Sequence, residues 1–147
     1  MIKQEFKIEI NAPREKVWDV LWNDETYPKW TNVFCEGTYA ESDWKEGSKI
    51  HFLSPNGEGM NSIIDRKIDN EYMAFKHLSE LKHFKEMPID DAAQEWTGAM
   101  ETYKLTQQNN SNTVLEVKMD TVEKYAEYFN NTFPKGLEMV KQLSENK

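Results

Sequence analysis

The stretch VLEVKMDTVEKYAEYFNNTFPKGLEMVKQLSENK, Val114–Lys147, decides the fold. It opens strand-like over Val114–Thr121, with Leu115, Val117 and Met119 on the side that would face a core. The period then changes. Tyr125, Phe129, Phe133, Leu137 and Val140 recur at three- or four-residue steps and so share one helix face. A helix of ~20 residues with such a stripe needs an extended apolar surface to lie on. The spacing Asp120 to Glu123 resembles a capping box with Asp in place of Ser or Thr, and predicts a start at Asp120 or Thr121. Pro134 removes one backbone donor and crowds the carbonyl four residues back, which predicts a kink around Asn130–Pro134, with Gly136 adding slack.

The surface for this helix has to come from the segments before it. Lys3–Ile10 alternates, with Phe6, Ile8 and Ile10 on one face and Glu5, Lys7 and Glu9 on the other. Asn11-Ala12-Pro13 stops that strand and starts a helix capped by Asn11 or Ala12, whose stripe is Val17, Trp18 and Leu21 and whose end lies near Asn23-Asp24. Asp24–Trp30 reads as a second short helical turn ended by Tyr27-Pro28. Strands follow over Val33–Ala40, Lys49–Leu53, Gly59–Ile68, Tyr72–Leu78, Trp96–Gln107 and Thr113–Thr121, with turns at Pro55-Asn56-Gly57, Asp69-Asn70-Glu71 and Gln108–Asn112. Ser79–Glu95 is charged, contains Pro88 and reads as a solvated insertion with a helical turn.

The order predicts an α+β helix-grip fold: a curved antiparallel sheet of six or seven strands around a long C-terminal helix, with two short helices after the first strand. The 147 residues fit a single domain spanning 1–147. A net charge of −8 disfavours nucleic acid and anionic membrane surfaces. No stretch has signal-peptide or membrane-span character, so the expected setting is the cytoplasm and the expected state a monomer. The single cysteine, Cys35, has no internal disulfide partner and reads as a buried inert thiol.

Three short motifs sharpen the fold. Ile8-Glu9-Ile10-Asn11-Ala12-Pro13-Arg14-Glu15-Lys16-Val17-Trp18 resembles the opening of START-like (SRPBCC superfamily) proteins, where the first strand ends in a small-Pro-x-x-x-Val-Trp helix start. Tyr27-Pro28-Lys29-Trp30 resembles the second-helix motif of the same superfamily. Phe133-Pro134-Lys135-Gly136-Leu137 resembles its C-terminal helix, where Trp often replaces Phe133 and Ala replaces Gly136. Together they resemble the bacterial branch related to the activator of the ninety-kilodalton heat-shock protein's ATPase.

The chemistry-bearing residues are sparse. His51, His77 and His83 lack ligand spacing and read as structural or exposed, so no metal or cofactor is expected. No nucleophile elbow or phosphate loop exists. Glu58, Asp65, Arg66, Glu101 and Glu116 lie in or beside strands and read as outward charges on solvated faces, though an inward one could act as a general acid or base. The resemblance implies a cavity between sheet and helix for a small hydrophobic ligand. Its wall is expected at Trp30, Phe52, Phe75, Tyr103, Met119, Phe129 and Phe133, with Tyr103 or a carboxylate orienting the ligand. Entry is expected near Trp30, the Ser79–Glu95 insertion and the start of the long helix. The resemblance equally permits a chaperone partner, with the protein stimulating the chaperone's ATPase, or a cyclase- or hydratase-type enzyme.

Overall fold

Alternating strands and well-marked turns build an eight-stranded antiparallel sheet, and the helical period after it builds the helix that the sheet grips. The computed structural model describes residues 1–146. The elements run β1 (Ile2–Ile10), α1 (Arg14–Trp22), α2 (Tyr27–Thr31), β2 (Tyr39–Glu41), β3 (Lys49–Leu53), β4 (Gly59–Ile68), β5 (Tyr72–Lys82), β6 (Lys85–Glu86), α3 (Asp91–Gln94), β7 (Met100–Asn109), β8 (Asn112–Thr121) and α4 (Ala126–Glu145). The strand order is β1-β8-β7-β5-β4-β3-β2, with β6 added to β5 outside that path.

Register fixes which side chains face α4. Phe6 lies opposite Val117 and Ile8 opposite Leu115. Tyr103 lies opposite both Val117 and Met73. Because residues two apart share a face, β1, β8, β7 and β5 carry one continuous apolar surface. Onto it α4 presents Phe133, Leu137 and Val140, all buried. The Phe133 ring stacks on Phe6 with centroids 4.9 Å apart and meets Phe34 edge-on at 5.0 Å. Gly136 allows the approach of α4 to the chain after α2: a Cβ there would lie 3.3 Å from Val33 and 3.4 Å from the Trp30 carbonyl.

Several boundaries differ from the sequence expectation. The sheet has eight strands rather than six or seven, because part of the presumed insertion is strand: β5 runs on to Lys82 and turns into β6. A register shift at Asn61/Ser62 turns Ser79 and Leu81 to the convex face, where both are buried, so these residues are not a solvated loop. Val33–Ala40 is mostly turn, since the amides of Phe34 and Cys35 bond back to the Thr31 carbonyl; only Tyr39–Glu41 is strand. Cys35 is therefore exposed rather than buried. The α1 cap is Pro13, whose carbonyl accepts from Lys16 and Val17. β7 starts at Met100 because Trp96 and Thr97 bond back to Ala93.

The helix start also moves. The Asp120 carboxylate accepts from the Met100 amide at 3.0 Å and stays in the sheet instead of capping α4. A 3₁₀ turn over Glu123–Tyr125 follows, and α4 begins at Ala126. Tyr125 thus leaves the apolar stripe and is exposed. α4 then runs as one helix to Glu145 with Pro134 inside it.

Two substitutions test this packing. Phe133→Ala should lower unfolding free energy by about 3–5 kcal/mol, as for other buried rings; a loss below about 1 kcal/mol in denaturant titration would contradict the role given to it. Gly57 has φ +85°, and a Cβ on it would stand 2.6 Å from the Phe84 amide nitrogen, which itself donates to the Gly57 carbonyl. Gly57→Ala should cost at least about 1–2 kcal/mol from the left-handed backbone alone and loosen the β5–β6 turn, read as faster amide exchange at Phe84.

Candidate functional site

The same register that builds the core places a polar chain within it. Phe75 faces Glu101 across β5 and β7, and Ser62 faces His77 across β4 and β5. The His77 amide donates to the Ala99 carbonyl at 2.9 Å and its carbonyl accepts from Gly98 at 2.8 Å, extending the pairing past the end of β7. His77 and Glu101 are therefore diagonal neighbours in phase with Phe75 and Tyr103, on the face toward α4.

Their side chains form one network. The Ser62 hydroxyl lies 2.6 Å from His77 Nδ1, and His77 Nε2 lies 3.1 Å from Glu101 Oε1. The Tyr103 hydroxyl donates to Glu101 Oε2 at 2.5 Å. The His77 and Glu101 side chains keep 13% and 20% of their surface exposed, so the pair is not sealed off from the surface. Ser62 is fully buried.

Burial pushes the Glu101 carboxyl up, but the hydrogen bond from His77, the charge that ring carries once it is protonated in acid, and the Tyr103 hydrogen bond outweigh it and hold the group below its ordinary value. Tyr103 is pushed well above the phenol range by burial, then by the charge and hydrogen bond of Glu101. Tyr27 moves the same way, through burial first and Glu101 second. Both phenols stay neutral beside an ionised carboxylate.

Aromatic rings surround the network. Phe52 packs edge-on to Phe75 at 5.0 Å and to His77 at 6.1 Å. Trp22 meets Tyr103 at 4.9 Å and Phe75 at 5.3 Å, both edge-to-face. The Trp22 Nε1 is buried without a hydrogen-bond partner. Tyr27 lies against Trp30 and Phe52.

All seven residues expected to line a cavity belong to, or pack against, this one cluster. Trp30, Phe75, Tyr103, Met119 and Phe133 are buried within it, and Trp30 Nε1 donates to the Leu21 carbonyl. Met119 lies opposite Glu101. Phe52 and Phe129 are half-buried at its margin. Two concavities, a groove of about 790 Å³ by Arg14, Arg66 and Lys104 and a shallow one of about 240 Å³ by Phe6 and Val117, are lined by none of the seven.

The outward assignment of the strand charges needs one correction. Glu58, Asp65 and Arg66 are exposed, and Glu116 lies opposite Lys7 and Lys104. Glu101 points inward, and His77 is tied into the interior with it. Their phase was readable, since His77 continues Met73 and Phe75 and Glu101 precedes Tyr103 and Leu105 by the same step. The insertion also lies elsewhere than expected. Glu86 of β6 bonds Lys49 Nζ at 2.9 Å and His51 Nε2 at 3.0 Å, and these alternate with the inward Ile50 and Phe52. β6 is thus anchored to the convex face, opposite α4. Among the described residues, no three His, Cys, Asp or Glu side chains gather as metal ligands. No helix among them is long and apolar enough to cross a membrane.

A curved sheet gripping a long C-terminal helix, with two short helices after β1, is the helix-grip fold of START-like proteins. The chain belongs to the family described as Activator of Hsp90 ATPase homolog 1-like protein, whose model matches residues 11–143. Among solved structures, the protein MLL2253 from Mesorhizobium loti superposes with a TM-score of 0.74 at 14% identity, over 97% of this chain and 96% of that one. The Aha1 dimer from Colwellia psychrerythraea gives 0.70 at 20% identity, over 100% and 99%. ChR145 from Cytophaga hutchinsonii gives 0.70 at 25% identity, over 99% and 95%. No curated protein sequence matches the chain.

The depressed carboxyl sets a pH dependence. A group whose folded value lies below its unfolded one contributes stability above the unfolded value and loses it as pH falls through the folded value. The gap in melting temperature between wild type and Glu101→Gln should therefore narrow as pH is lowered through the carboxylate range. A gap that stays constant would contradict the assignment.

Proposed function

We propose that this protein binds a small apolar or amphipathic molecule between the sheet and α4. The apolar wall is Trp30, Phe52, Phe75, Met119, Phe129 and Phe133, and the polar anchor is Glu101 with Tyr103. The observation that carries this reading is an inward Glu101 whose side chain, on the concave face, is only partly buried. A charge in such a place costs stability unless donors hold it; here His77 and Tyr103 do so with two hydrogen bonds, fewer than a carboxylate can accept. Rings occupy the interior of the free protein, so the ligand enters by displacing marginal ones, Phe52 and Phe129 first. Its desolvation supplies most of the affinity, at ~25 cal/mol per Å² of apolar surface buried. The reading needs no metal, cofactor or second subunit, and suits a cytoplasmic monomer.

Native mass spectrometry of the protein purified from its host should show a retained small molecule. Truncating a marginal ring should widen the entrance, so Phe129→Ala should bind the neutral dye Nile red several-fold more tightly than wild type. Equal or weaker binding by the variant would argue against entry there.

A second reading, an adaptor that stimulates a chaperone ATPase, is supported by the family description and by the likeness to the Aha1 of Colwellia psychrerythraea. It predicts co-purification with the host chaperone and a raised ATPase rate. Absence of both would remove it.

A further inference from the structure

We infer that the polar end of this site takes a cation, so that the ligand is an apolar body carrying a protonated amine. The inference rests on the small-molecule reading above and goes beyond it by naming the ligand's head group. It starts from the hydrogens. Ser62 is fully buried, and its hydroxyl has one hydrogen-bond partner among the described residues, His77 Nδ1 at 2.6 Å. His77 Nε2 faces a carboxylate, which can only accept. A neutral imidazole with its hydrogen on Nε2 satisfies every group: the serine donates to Nδ1, and Nε2 donates to Glu101. An imidazolium would direct a second N–H at Ser62 and leave the serine hydrogen without an acceptor, a costly state for a buried hydroxyl.

The network therefore carries one uncompensated negative charge. Tyr103 is a neutral donor to it. Among the described residues no lysine or arginine pairs with Glu101; its one ion-pair contact is His77. An ionised carboxylate offers about four lone-pair positions, and the network uses two of them. Phe75 is the partner of Glu101 across the strands, Phe52 and Trp22 pack on Phe75, and Tyr27 lies against Phe52; the faces of such rings attract cations once water is excluded. A carboxylate or phosphate head would be repelled here, and a hydroxyl head would leave the charge unmatched. An ammonium supplies both the donors and the charge, and the net charge of −8 favours its approach.

The test uses three probes of one shape: phenylbutylamine, phenylbutanol and phenylbutyrate, titrated into the ¹⁵N-labelled full chain at neutral pH. The amine should bind about tenfold more tightly than the alcohol, with the acid weakest and the largest shifts at Phe75, His77 and Glu101. Glu101→Gln should bring the amine down to the affinity of the alcohol. Tyr103→Phe, which keeps the carboxylate, should retain the amine preference, so the inference stands on that variant and the wild-type ranking if Glu101→Gln fails to fold. Equal binding of amine and alcohol at these residues overturns the cation assignment and leaves the apolar-ligand reading intact. Failure of all three probes to bind, or shifts centred elsewhere, overturns both.

Discussion

The seating of α4 on the concave face of the sheet is the constraint on which the rest depends. Phe133 sits between Phe6 of β1 and Phe34 of the segment after α2, so one ring joins the edge of the sheet, the long helix and the short helices. Gly136 brings the helix close enough for that contact. With α4 in place, most inward side chains of β5, β7 and β8 are buried against protein. An inward charge then becomes a structural problem that the sequence has to solve locally.

Glu101 is that charge, and β-sheet geometry supplies the solution. Tyr103 is two residues along the same strand, and His77 is its diagonal neighbour on β5. Ser62, opposite His77, fixes the imidazole from behind. The carboxylate is thus held by two donors, oriented by strand register rather than by mobile loops. It borders a ring cluster whose outer members, Phe52 and Phe129, are only half-buried. Trp30 and Phe75 are buried while His77 and Glu101 keep part of their surface exposed, so the polar network lies at the margin of the core.

Much of this was legible in the chain. The switch from period two to the helical period near Thr121 required a helix on a sheet, and the Ala12-Pro13, Tyr27-Pro28 and Phe133-Pro134 motifs placed it among START-like proteins. The failures have physical causes. Asp120 and Glu123 fit a capping box, yet a tertiary hydrogen bond to Met100 claimed the aspartate. Ser79–Lys82 lacked simple alternation because a register shift reverses the face of β5 there. Glu101 was misassigned because polarity was weighed above phase: it precedes the inward Tyr103 and Leu105 by the same two-residue step. Its pairing with His77 across two strands is a property of register, which composition does not contain.

The central claim is that an ionised Glu101 sits at the inner face beside a neutral, Nε2-protonated His77. Long-range ¹⁵N–¹H correlation of the histidine rings at neutral pH measures this directly. The account predicts that His77 shows a protonated Nε2 and a bare, hydrogen-bond-accepting Nδ1, and that Glu101→Gln perturbs the Nε2 signal most. A His77 ring with both nitrogens protonated, or with its hydrogen on Nδ1, would contradict it.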